Sequence, residues 1–80
     1  MNDYAIIYNP KSGGGRSRRQ FHLMQATLTN LGIKYDLFKT EHIGHAIQLG
    51  EQLAKEGYRV IAAGGDGTCN EVLNGVIKSV

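Results

Sequence analysis

Apolar positions along the eighty-residue chain recur with two alternating periods, and the alternation outlines six elements. Tyr4 to Tyr8 is a continuous apolar and aromatic run halted by Asn9-Pro10, the pattern of a buried strand. From Ser17 onward Phe21, Met24, Leu28 and Leu31 recur at steps of three and four, which predicts a helix with one apolar stripe. Gly32 stands where a left-handed C-terminal cap belongs. Lys34 to Lys39 alternates in polarity and predicts a second strand at a sheet edge. After Thr40, which can serve as N-cap, Ala46, Leu49, Leu53 and Ala54 mark a second helix ended by Gly57. Arg59 to Ala63 is apolar nearly throughout and predicts a third strand in a central position. Val72, Leu73, Val76 and Ile77 then mark a third helix that runs to the end of the chain.

The order β-α-β-α-β-α places the chain in the α/β class, as a three-layer α/β/α, Rossmann-like arrangement: a parallel sheet with right-handed crossovers. With the first and third strands as neighbours and the second outside the first, two segments leave adjacent strand ends. Asn9 to Gly15 and Gly64 to Thr68 then face each other across a crevice, the position where open α/β sheets bind ligands.

Composition sharpens this picture at one residue type. An apolar fraction of 41% and a charged fraction of 20% are ordinary for a globular chain and exclude disorder, collagen-like repeats and coiled coil. Glycine is in excess, eleven residues in eighty against a usual share of about 7%, with no Gly/Ser repeat to suggest a linker. Cys69 is the only cysteine, so no internal disulfide forms and Cys-rich metal patterns are excluded, which fits a reducing, cytoplasmic setting. A net charge of +2 argues against a nucleic-acid binder. No apolar run reaches the roughly 18 to 20 residues that cross a bilayer, and no export signal opens the chain.

The densest chemistry lies in Gly64-Gly65-Asp66-Gly67-Thr68, between an apolar strand and a helix. Glycines there admit positive φ angles and close ligand approach, while amides at the helix start point outward as anion donors. Asp66 would repel phosphate unless it orients a cation, that cation's water shell or an attacking hydroxyl. The segment is neither a Walker A loop nor a full dinucleotide fingerprint. The plainer alternative is a tight turn with Asp66 or Thr68 as N-cap. The first loop, Asn9-Pro10-Lys11-Ser12-Gly13-Gly14-Gly15, supplies an amide side chain, a cation, a hydroxyl and backbone amides at the facing strand end.

These two segments together carry a family resemblance. Ile6-Ile7-Tyr8-Asn9-Pro10-Lys11-Ser12-Gly13 and Val60 to Gly75, through Gly64-Gly65-Asp66-Gly67-Thr68-Cys69-Asn70-Glu71, resemble the two signatures that open the diacylglycerol kinase catalytic-domain family. That family includes bacterial lipid kinases, sphingosine kinases and ceramide kinases, and is distantly similar to NAD kinases. Cys69 stands where an aliphatic residue is more usual. The resemblance implies that residues 1–80 are the N-terminal ATP-binding subdomain of such an enzyme, which transfers the γ-phosphate of ATP to a lipid hydroxyl such as that of diacylglycerol. It implies nucleotide contacts at Asn9, Pro10, Lys11, Ser12, Gly13, Thr40, Gly65, Asp66, Gly67, Thr68, Cys69, Asn70 and Glu71. Asp66 is implied as the supporting catalytic residue, acting on Mg²⁺ indirectly through water.

The general base and most of the lipid pocket are implied to lie in a C-terminal β-rich domain that is absent here, so the chain alone is expected to be inactive. A cytoplasmic enzyme of phospholipid metabolism, peripheral at the membrane, is the corresponding expectation. The missing domain or a second copy of the chain would cover the exposed sheet. The alternatives are a stand-alone nucleotide- or phosphate-binding module and an NAD kinase-like enzyme. Among the remaining residues, His22, His42 and His45 read as surface histidines and not as a metal site. Cys69 reads as a half-buried structural thiol. Arg16, Arg18 and Arg19 form either a solvated face or a contact to phosphates or anionic lipid.

Overall fold

The structure, a computed structural model, describes residues 2–11 and 14–80, the side chain of Asp66 excepted. The elements alternate as expected: β1 (Tyr4–Tyr8), α1 (Gly14–Asn30), β2 (Tyr35–Lys39), α2 (His45–Lys55), β3 (Arg59–Ala63) and α3 (Asp66–Lys78). The strands form one parallel sheet in the order β2-β1-β3. Its register is level: Tyr8 pairs with Lys39 on one side and with Ala63 on the other, so all three strands end at one height. The chain therefore leaves the sheet at residues 9, 40 and 64 side by side.

Alternation along β1 divides the core. Ala5 and Ile7 point to one face, where they meet Ala46, Leu53 and Val72 of α2 and α3. Ile6 and Tyr8 point to the other and meet Phe21 of α1, with Met24 and Leu28 packed behind it. The Tyr8 and Phe21 rings stack with centroids 3.9 Å apart. Helices thus cover both faces, which is why β1 carries no polar residue between its flanking tyrosines.

β3 is an edge strand among the described residues, not the central one. Its apolar run reports two covered faces and not two paired edges: Val60 and Ala62 pack toward α2 and α3, and Ile61 toward α1. The strand's polarity pattern carries no information about its lateral neighbours.

The helices begin and face differently from the simplest expectation. α1 starts at Gly14, not near Ser17, and α3 at Asp66, so Gly14, Gly15 and Gly67 lie in first helical turns and not in loops. α2 starts at His45 behind Gly44, whose φ of 82° makes it a left-handed N-cap without a side-chain bond; Thr40 is not the cap. Nor do Asp66 or Thr68 cap α3, whose N-cap is Gly65. Only half of the α3 stripe is buried: Val72 and Val76 face the core, while Leu73 and Ile77 are each 57% exposed. Leu31, past the end of α1, is also exposed.

Both C-terminal caps form as expected. The amides of Gly32 and Ile33 bond to the carbonyls of Thr29 and Leu28, and those of Gly57 and Tyr58 to Ala54 and Leu53, the paired bonds of a Schellman motif. Gly32 and Gly57 supply the positive φ that each requires, 72° and 95°.

Two further glycines set the approach of α2 to α3. A Cβ on Gly50 would stand 2.9 Å from the Val72 carbonyl oxygen, and one on Gly75 would collide with the Ile47 carbonyl oxygen and lie 2.9 Å from the Glu51 amide nitrogen. The backbones meet where no side chain fits. At the amino end of the sheet a polar clip closes the fold. The Asp36 carboxylate accepts bonds from the Tyr58 hydroxyl (2.6 Å), the Asn2 amide (3.2 Å) and the Asn2 side chain (2.9 Å).

Candidate functional site at the carboxyl ends of the strands

The level register gathers three connections. The Asn9 amide continues the ladder onto the Ala63 carbonyl at 3.2 Å, and the Thr40 amide onto that of Tyr8 at 2.9 Å. Asn9 then turns the chain, since its Oδ1 accepts the Lys11 amide at 3.0 Å, the bond of an Asx turn. Pro10 stands inside that turn and Lys11 projects from it, exposed. Ser12 and Gly13 lie outside the described residues.

Beside this turn a cleft of about 230 Å³ is lined by Asn9, Lys11, Thr40, Glu41, His42, Ile43, Ala46 and Glu71. It unites Asn9, Lys11, Thr40 and Glu71, which are separated in the chain and were expected at one site. Glu41, His42, Ile43 and Ala46 were not expected there. Glu41, His42 and Ile43 share one recoverable property, a position between a strand's carboxyl end and the next helix, where ligands of open α/β sheets are held, and Ala46 lies in the first turn of that helix. Glu71 reaches across from α3 and accepts the Gly44 amide at 3.0 Å, tying the second connection to the third.

The glycine segment forms the adjoining part of the site and is shorter than expected. Only Gly64 and Gly65 lie between β3 and α3. Gly64 has φ 150°, and a Cβ there would stand 2.8 Å from Thr68 Oγ1. Thr68 itself is buried, and it props the segment from beneath while its amide belongs to the helix start. The first bond of α3 runs from the Cys69 amide to the Gly65 carbonyl at 3.2 Å, so the preceding amides have no carbonyl one turn back within the helix. Open space surrounds the Cβ position of Gly67. An anion can approach there without obstruction.

Gly65, Gly67, Thr68, Cys69 and Asn70 line the start of α3 and not the cleft. Asp66 opens that helix, and its side chain lies outside what is described. Cys69, in the first turn of α3, is exposed, contrary to the half-buried thiol expected. Among the described residues no three His, Cys, Asp or Glu side chains gather where they could hold a metal ion; His42 and His45 stack ring on ring with centroids 4.6 Å apart, each bonded to the backbone of the β2–α2 segment. Arg16, Arg18 and Arg19 are all exposed on α1, a helix without an acidic residue.

A polyanion fits this constellation. Lys11 supplies charge and the backbone at the start of α3, bare at Gly67, supplies donors, while the Glu41 and Glu71 carboxylates of the cleft, the latter bonded to the Gly44 amide, oppose an anion on that side.

The family model of the diacylglycerol kinase catalytic domain matches residues 3–80. The chain is 44% identical over 74 residues to a diacylglycerol kinase of Staphylococcus aureus, an alignment covering 91% of this chain and 24% of that protein. It is 43% identical over 77 residues to sphingoid long-chain bases kinase 1 of Arabidopsis thaliana, covering 90% of this chain and 10% of the other. The chain therefore belongs to the diacylglycerol kinase catalytic-domain family, and it spans about a quarter or less of the length of these relatives.

Proposed function

We propose that the chain is the N-terminal nucleotide-binding part of a lipid kinase that transfers the γ-phosphate of ATP to a lipid hydroxyl, that of diacylglycerol or a related lipid alcohol. The observation that carries this reading is the level meeting of the Asn9–Lys11 turn, Thr40 and the glycine-led start of α3 at one end of the sheet. Phosphoryl transfer asks little covalent chemistry of a protein and depends on positioning and on neutralising charge. In this reading Lys11 and the first amides of α3 hold the phosphates, Thr40 and Asn9 fix the nucleoside side, and Glu71 keeps the β2–α2 segment in place. Mg²⁺ bound with ATP neutralises phosphate charge, and Asp66 is the residue assigned to orient its water shell.

The general base and the lipid pocket are assigned to chain outside these eighty residues, in a C-terminal β-rich domain, so this segment alone is inactive. The acid-free basic face of α1 suits a cytoplasmic enzyme that visits an anionic membrane to meet its acceptor.

The test is incorporation of labelled γ-phosphate into extracted lipid by the full-length protein. Transfer to lipid supports the reading, while transfer to NAD alone assigns the chain to the NAD kinase branch. Asp66→Asn is expected to abolish transfer and to spare most nucleotide binding. Full activity of that variant would remove the role given to Asp66.

A further inference from the structure

Glu71 lies one helical turn beyond Gly67, so a single helix carries both the anion-facing backbone and a carboxylate that lines the cleft. Its Oε1 accepts the Gly44 amide at 3.0 Å. Gly44 ends the wall that Thr40, Glu41, His42 and Ile43 form: its φ is 82°, and its carbonyl accepts the amides of Ile47 at 3.1 Å and Gln48 at 3.4 Å to start α2. The other end of the wall is held by the sheet, where the Thr40 amide bonds to the Tyr8 carbonyl at 2.9 Å. Between these ends Glu41, His42 and Ile43 are all exposed, Ile43 fully, so packing does little to fix them.

We propose that Glu71 is a positioning residue for the nucleoside half of the site, acting as a hydrogen-bond acceptor for Gly44 with a charge that the site does not use. The proposal rests on the nucleotide reading of the cleft and departs from the resemblance, which implies a direct contact between Glu71 and the nucleotide. Holding a backbone N–H requires an oxygen and not a charge, and a glutamine side chain offers the same oxygen at the same reach. The negative charge itself repels a polyphosphate in the cleft. The phosphate half does not depend on this bond. The start of α3 is fixed by its own helix, through the bond from the Cys69 amide to the Gly65 carbonyl at 3.2 Å, and the Lys11 backbone is fixed by the Asn9 side chain at 3.0 Å. Loss of the Glu71 acceptor therefore loosens the wall beside the nucleoside and leaves the phosphate donors in place.

Glu71→Gln and Glu71→Ala in the full-length protein both remove the charge, so the difference between them isolates the acceptor. Titrated with ATP at fixed Mg²⁺, the Ala variant is expected to bind about fivefold more weakly than the Gln variant, the scale of one hydrogen bond. Titrated with inorganic tripolyphosphate, the two should bind alike, an outcome that a general loss of structure in the Ala variant would not give. The Gln variant should bind ATP at least as tightly as the wild type, because the repulsion is gone. Exchange of the Gly44 amide, followed by NMR without ligand, should be slow in the wild type and the Gln variant and faster in the Ala variant. Equal ATP affinities in the two variants, a tripolyphosphate loss matching the ATP loss, or a Gln variant well below the wild type each overturns the proposal. The last of these decides even where the Ala variant does not fold. If Gly44 exchange ranks the three proteins as described while none of them binds ATP, the positioning of the wall stands and the nucleotide reading fails.

Discussion

At the scale of single residues, glycine does several different jobs that its abundance alone does not separate. Gly32 and Gly57 were legible because each follows an apolar helical stripe, where a left-handed cap is expected. Gly50 and Gly75 were not, since their role depends on which helix lies opposite. Substituting Gly75 by Ala therefore has two opposed effects. Helix propensity favours alanine by about 1 kcal/mol, whereas forcing a methyl group onto the Ile47 carbonyl costs about 1–3 kcal/mol of overpacking. The clash is with backbone, which cannot rotate away, so a net loss is expected as a lower urea midpoint at unchanged m-value. Gly67→Ala is the contrasting case. Its Cβ meets open space, so stability should hold or rise by up to about 1 kcal/mol. Nucleotide affinity should nonetheless fall, because the added methyl group occupies the anion's approach to α3. Isothermal titration of both variants with ATP separates packing from site.

At the scale of elements, periodicity gave the six segments and their order, and failed where the deciding contact lies outside the segment. β3 reads as central because both faces are covered, although its lateral edge is free among the described residues. Helix starts were placed late at α1 and α3 because glycine marks loops in a sequence, yet a first helical turn accommodates it. Glu41, His42 and Ile43 were not legible as cleft wall for a related reason: they have no periodicity and become a site only through the parallel register that sets them beside Asn9. α1 supplies an element-level prediction. Its exposed Arg16, Arg18 and Arg19 stand without a compensating acid, and each basic residue near an anionic surface contributes about 1 kcal/mol. Replacing all three by Gln should therefore weaken binding of the full-length protein to phosphatidylserine-containing vesicles by roughly two orders of magnitude at low salt. Added salt should erase the difference between variant and wild type, since the interaction is screened. Vesicle binding unaffected by the substitutions would make this a merely solvated face.

At the scale of the whole molecule, the two ends of the sheet have separate tasks. The carboxyl end carries the cleft, and the amino end carries the Asp36–Tyr58–Asn2 clip that joins β2, the approach to β3 and the chain's start. The bond from Tyr58, followed by that from the Asn2 amide, holds the Asp36 carboxyl below its usual range. The same bond to Asp36, with burial and the carboxylate's charge behind it, pushes the Tyr58 hydroxyl up to about 12. A depressed carboxyl stabilises the fold above its unfolded value, near pH 4, and loses that contribution as pH falls through the folded value. A raised phenol stabilises below its unfolded value, near pH 10, and loses that contribution as pH rises through about 12. The clip thus strengthens the fold across neutral pH and fails at both extremes. Tyr58→Phe removes the bond at both limbs and leaves the ring's edge contact with Phe38 and its packing against the core cluster of that face. Its thermal midpoint should lie below that of the wild type at pH 7, and the gap should narrow below pH 4 and above pH 11, where the wild type loses the same bond. A gap constant from pH 3 to pH 11 would show that the bond contributes nothing through ionisation. ATP affinity at neutral pH should be unchanged in this variant, because no residue of the clip reaches the cleft. An affinity loss larger than the stability loss accounts for would mean instead that the two ends of the sheet are coupled through β1.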